Sequence, residues 1–184
     1  MQLVINIVIY QICWLACIIS AAALQPMIGV GLVAIAAAYH LYNARTALPE
    51  LKLLVVAAFI GALWDSLPVA MGWLVYPSGM LIENAAPYWI VALWVVFATT
   101  FNVSLRWFKQ HLLFASLLGA IGGPLAFLAG ERLGGVEFLD YPMALGALAV
   151  GWGILMPSLL LIADRFNGFE AIEANAPATA GQGA

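Results

Sequence analysis

Asp65 is the residue best placed to do chemistry, because it is a lone carboxylate inside a long apolar run from Leu51 to Tyr76. An acid at the centre of a membrane-spanning helix costs about 2.5–3.5 kcal/mol to insert, so it must face the protein interior or a wet cavity. Three residues later, Pro68 has no N–H for the carbonyl of Trp64, which predicts a kink. Asp65, Ser66 and that freed carbonyl then make one polar spot. Proton relay, ion coordination and general acid–base work are the functional readings of it. An interhelical hydrogen bond that fixes packing is the structural reading. Gln11 and Asn102 are the candidate donors to the carboxylate.

Few other side chains carry polar chemistry in the apolar runs. Asn6 and Gln11 lie in the first run, and Thr99, Thr100, Asn102 and Ser104 in the fourth. Together they define an expected intramembrane cluster of Asn6, Gln11, Asp65, Asn102 and Ser104. Buried amides of this kind join helices at about 0.6 kcal/mol each. The sharper alternative is a shared polar cavity lined by Asn6, Asn102 and His40. His40 itself, beside Tyr39, Asn43 and Arg45, reads as a solvated histidine at the membrane surface. No Ser, Cys or Lys stands beside a base at nucleophile spacing, and no second intramembrane carboxylate is evident. Cys13 and Cys17 share a helix face as small apolar fillers. No metal-ligand spacing is present, and no haem, flavin or nucleotide signature.

Glycines carry the packing expectation. Gly119 and Gly123 form a GxxxG pair, joined by Gly122, and Pro124 then predicts a bend. The last run repeats the theme with Gly146, Gly151, Gly153 and Pro157, so these two runs are expected to make the tightest contact of the bundle.

The elements that must hold these groups follow from composition. The 184 residues are 65% hydrophobic and 8% charged, against roughly 25% charged for a soluble domain. Such a chain cannot cover its surface with polar groups, so lipid is its solvent. Its net charge of −3 and lack of a basic stripe exclude nucleic acid as a partner. About 20 apolar residues are needed for a helix to cross the hydrocarbon. Leu3–Ala22, Pro26–Tyr42, Leu51–Trp73, Tyr88–Trp107, Leu112–Ala129 and Pro142–Ile162 qualify, which predicts an all-α bundle of six transmembrane helices over residues 1–166. The short turn around Gln25 makes the first two an antiparallel hairpin. Pro68 and Pro157 occupy the third helix of each half, a faint sign of inverted repeats.

Arg45, Lys52, Arg106, Lys109 and Arg165 fall on one side of that threading and Arg132 alone on the other. The positive-inside rule then puts both termini in the cytoplasm. Tyr and Trp residues gather at both ends of the runs as interfacial belts. The N-terminus has no basic segment or cleavage site and reads as a retained span. Residues 167–184 lack apolar periodicity and are expected to form a disordered cytoplasmic tail.

Several short stretches resemble a bacterial inner-membrane family, domain of unknown function 2878. They are Asn6 with Gln11 and Trp14, the Gly61-Ala-Leu-Trp-Asp65-Ser66-Leu67 segment, and Leu93-Trp94 through Thr100. Asn102, Ser104-Leu-Arg-Trp107, Gly119-Ala-Ile-Gly-Gly-Pro124, Ala129-Gly130 and Leu133-Gly134 continue the match. Where the resemblance would place a Ser-Tyr pair, this chain has Ala126-Phe127. The resemblance implies a six-helix bacterial inner-membrane protein with no established activity, encoded near lipid-modifying genes. An accessory component in membrane-lipid metabolism is therefore the first expectation, with membrane lipids, a second copy or another membrane protein as partners. The alternatives are an intramembrane lipid-modifying enzyme using Asp65 as acid or base, and a small proton-coupled transporter.

Overall fold

The computed structural model describes residues 2–169. Six α-helices follow one another as α1 (Gln2–Ala22), α2 (Met27–Asn43), α3 (Ala47–Ala70), α4 (Tyr88–Ala98), α5 (Leu112–Arg132) and α6 (Tyr141–Arg165). A 3-10 turn, Arg106–Gln110, precedes α5. Two short strands, β1 (Leu74–Val75) and β2 (Glu137–Phe138), pair antiparallel across the end of the bundle where α3 stops and α6 starts.

Four helices, α1, α3, α5 and α6, are long and apolar enough to cross a membrane. α2, with 17 residues, is about 26 Å long, and α4, with 11, only about 16 Å. The expectation of one continuous helix over Tyr88–Trp107 is therefore corrected. Its physical cause is local competition for the backbone. The Thr99 and Thr100 hydroxyls donate to the carbonyls of Val96 and Phe97 at 2.6 Å each, three residues back, where the helix ends. Asn102 and Ser104 are then drawn into bonds with distant segments, and the chain turns instead of winding on.

The bundle is apolar on its outside and holds polar groups inside. On α3, Val55, Phe59, Leu63 and Leu67 repeat every four residues and are each more than half exposed. Leu113, Leu117, Ile121 and Leu125 do the same on α5. Such stripes fit a hydrocarbon solvent and no aqueous one. Glu50, Asp65, His40, Thr99, Thr100 and Asn102 are buried.

α5 and α6 make the most extensive helix contact, as their glycines predict. A side chain at Gly119 would strike the Trp152 carbonyl and Met156, and one at Gly123 the Trp152 indole. Ser116 donates to the Gly153 carbonyl at 2.7 Å across the same seam. Gly122 departs from the pattern, with open space where its side chain would be. Pro124 lies within α5, half-buried. α1 and α2 pack as the expected hairpin, sealed where the Gly29 N–H donates to the Ser20 hydroxyl at 3.2 Å.

The strand pairing ties the two loops at the acidic end to each other. Leu74 faces Phe138 and Val75 faces Glu137, while the Leu139 N–H donates to the Trp73 carbonyl at 2.9 Å. The long loop is further fastened by Ser78 Oγ to the Ala21 carbonyl and by the Ala86 N–H to Ser66 Oγ. Of the expected tail, residues 170–184 lie outside the described residues, and Gly168 and Phe169 dock against the bundle.

Candidate functional site

Asp65 points from α3 toward α4, where the Trp94 indole Nε1–H donates to its Oδ2 at 2.7 Å. One turn earlier Gly61 makes this possible, because any side chain there would collide with the Trp94 ring. Trp94 stacks on Trp152 of α6, with ring centroids 4.7 Å apart and planes 17° from parallel. The carboxylate is 2% exposed, and its second oxygen, Oδ1, has no partner. Neither Gln11 nor Asn102 reaches it: Gln11 is exposed on α1, and Asn102 serves another carboxylate.

A cavity of about 70 Å³ borders Asp65 between α1 and α5. Two more buried polar atoms without partners belong to its lining residues, the Tyr76 hydroxyl and Trp152 Nε1. Burial pushes the Tyr76 phenol well above its ordinary value, and the Asp65 charge pushes it the same way, so this group is a neutral hydroxyl. A larger cavity, about 310 Å³, follows along α1 toward the basic end and is lined by Ile7, Gln11, Ser104 and Gly122 among others. The two share Tyr10, Phe97, Ala126 and Trp152 as walls. α1 and α5 are not among the extensively packed helix pairs, and these cavities occupy the cleft between them. Ile7 and Leu118 at its edge are both nearly half exposed, so the cleft opens to the apolar outside of the bundle.

The other expected cluster members separate into two groups. Ser104 Oγ donates to Asn6 Oδ1 at 2.6 Å, and Asn6 Nδ2 donates to the Thr99 carbonyl at 3.1 Å. That pair pins α1 to the irregular segment after α4. Asn102 Nδ2 donates to Glu50 Oε1 at 2.6 Å and to the Phe166 carbonyl at 3.0 Å. Glu50 also accepts from the Gly168 N–H at 2.7 Å and lies 2.8 Å from His40 Nε2. His40 is thus buried against a carboxylate, which corrects its reading as a solvated surface histidine. The reason is that α3 begins at Ala47, earlier than the apolar run, and carries Glu50 inward.

Two participants escaped the sequence reading. Glu50 was legible by helical spacing: Glu50, Leu54, Ala57, Gly61, Asp65 and Pro68 form one buried face of α3. Trp94 could have been found by asking which donor in the fourth run shares the depth of Asp65.

The family model described as "Protein of unknown function (DUF2878)" matches residues 3–158. No curated protein and no solved structure matches the chain.

Proposed function

We propose that this chain, which belongs to the DUF2878 family, is an integral membrane protein that takes a single-chain amphiphile sideways into the α1–α5 cleft and receives its polar end beside Asp65. The observation that carries this reading is the cleft's composition. It is mainly apolar, and the residues lining its inner end include Asp65, Tyr76 and Trp152, each with a buried polar atom that has no partner. Buried polar atoms are ordinarily paired, so three unpaired ones on residues lining one cavity support a ligand there. From Ile7 to Ile18 the lining of α1 rises about 16 Å, the length of a medium acyl chain.

In this reading α2 and α4 complete a six-span threading of a bacterial inner membrane, with both termini cytoplasmic. The gathering of five basic residues at one end supports that orientation. Holding a lipid-derived molecule suits an accessory role in membrane-lipid metabolism. A second reading, a lipid-modifying enzyme, draws on the Tyr76 hydroxyl and the Asp65 carboxylate lining one cavity as a proton-exchanging pair.

The test is mass spectrometry of lipids that co-purify in mild detergent, comparing the wild type with Gly122→Leu. A Cβ at Gly122 meets open space and the residue lines the cleft, so a leucine there is placed to fill it. Loss of a retained amphiphile in the variant is the expected result. Equal lipid content in both, or a crosslinked dimer joined through α1 and α5, overturns the proposal.

A further inference from the structure

At the basic end of the bundle, away from Asp65 and the β-ribbon, lies a cavity of about 460 Å³ with a different lining. Gln2 and Leu3 of α1, Asn43 and Arg45 from the end of α2, and Val103 and Arg106 from the irregular segment after α4 form most of its wall. Both arginines are exposed, and neither guanidinium has an ion pair or a hydrogen bond among the described residues. No residue lining the cavity is acidic. The buried Glu50 is one side chain removed, bonded to the lining residue Asn102, and its oxygens are already taken by Asn102, His40 and the Gly168 N–H. The backbone beside each arginine is fastened: the Thr46 N–H donates to the Gly168 carbonyl at 3.1 Å, and the Leu105 N–H to the Thr100 carbonyl at 2.8 Å.

We infer that this cavity binds the anionic phosphate headgroup of a membrane lipid, a site separate from the α1–α5 cleft and from whatever the cleft holds. Two cations bordering one cavity attract an anion in it together, since charge acts over about a Debye length, roughly 10 Å at 0.1 M salt. They need not meet at a single oxygen for this to hold. Guanidinium is also the group best matched to phosphate, and Gln2 adds an amide that can donate to phosphate or glycerol oxygens. The surroundings favour a lipid over a soluble anion. Leu3 in the wall is 48% exposed, and Trp107, next to Arg106, is 54% exposed, as suits a ring at headgroup level. Apolar surface beside two free cations suits a ligand with a charged head and acyl tails, and basic pockets between membrane helices hold such heads.

The experiment offers the full chain in mild detergent an equal mixture of phosphatidylglycerol and phosphatidylcholine with identical acyl chains, then reads the retained ratio by mass spectrometry. Identical chains cancel any contribution from the cleft and leave the headgroup as the difference. Phosphatidylglycerol is expected to be enriched at least about fivefold, and each of Arg45→Gln and Arg106→Gln to lower the enrichment by about fivefold or to abolish it. The double variant removes it, while Arg45→Lys with Arg106→Lys keeps most of it. Lys52→Gln with Arg165→Gln is the control, because it removes two exposed charges from the same end that do not line the cavity. It is expected to leave the ratio near that of the wild type. No enrichment in the wild type, an equal loss in the control, or complete loss in the double lysine variant overturns the site. Glycerol phosphate added at the lipid concentration tests the source: if it levels the ratio, the ligand is a soluble phosphate and the lipid assignment falls. Glu170 and Glu173 follow closely in the sequence after Phe169, which also lines the cavity. An enrichment that emerges only in Glu170→Gln with Glu173→Gln gives the cavity to the chain's own acids and overturns the proposal.

Discussion

The bundle buries two carboxylates on one face of α3, fifteen residues apart in sequence, and treats them oppositely. Glu50 is bonded at both oxygens: His40, Asn102 and the Gly168 N–H converge on them. Asp65, which lines a cavity, has one bond, from Trp94, and a second oxygen without a partner. A buried acid with both oxygens engaged is a fastening, and here it fastens the end of α6 to the start of α3. One that is half engaged, on a residue bordering a cavity, has hydrogen bonding left to make. Burial of charge alone therefore does not separate the two acids of this chain; the unfinished hydrogen bonding of Asp65 is what makes it the candidate group.

That contrast can be broken most forcefully at Glu50. Glu50→Ala strands three donors in the interior and is expected to destabilise by about 3–5 kcal/mol, read as a lowered unfolding midpoint in detergent. A loss no larger than that of an Asp65 variant would erase the distinction. Next in size is Gly61→Ala, whose methyl collides with the Trp94 indole and forces it off Asp65. A cost of about 1–3 kcal/mol and altered tryptophan fluorescence are expected. Asp65→Asn should cost less than ~1 kcal/mol, because an amide oxygen still accepts from Trp94 and a poorly compensated buried acid is removed. Its effect should appear in amphiphile retention and not in stability. The smallest change is Gly122→Ala, which meets open space and is expected to stabilise α5 by up to about 1 kcal/mol through helix propensity.

Composition and run length made the all-helical architecture legible, along with the α1–α2 hairpin and the close α5–α6 seam, because each rests on a local pattern. α4 was not legible to its true end. Its apolar run continues past Ala98, where the side-chain bonds of Thr99 and Thr100 to the preceding turn, with those of Asn102 and Ser104 to distant segments, accompany the end of the helix. The strand pairing of Leu74–Val75 with Glu137–Phe138 joins segments some sixty residues apart and leaves no periodic trace in two-residue strands. Asp65 stood out at once, since one charge among aliphatics is conspicuous. Its donor did not, because tryptophan in an apolar helix reads as bulk, and its N–H matters only when a neighbouring helix is placed against it. The grouping of Asn6 with Ser104, and of Asn102 with Glu50, likewise depends on which helices adjoin.

The small β-ribbon has a bearing on traffic. It splices the loop after α3 to the loop before α6, and the Trp73 carbonyl accepts from both Leu139 and Asp140 next to it. These two crossings consequently behave as a single stopper, and lifting one requires dragging the other. In the proposed reading, the ribbon shuts the end of the bundle near Asp65 and leaves the flank between α1 and α5 as the way in.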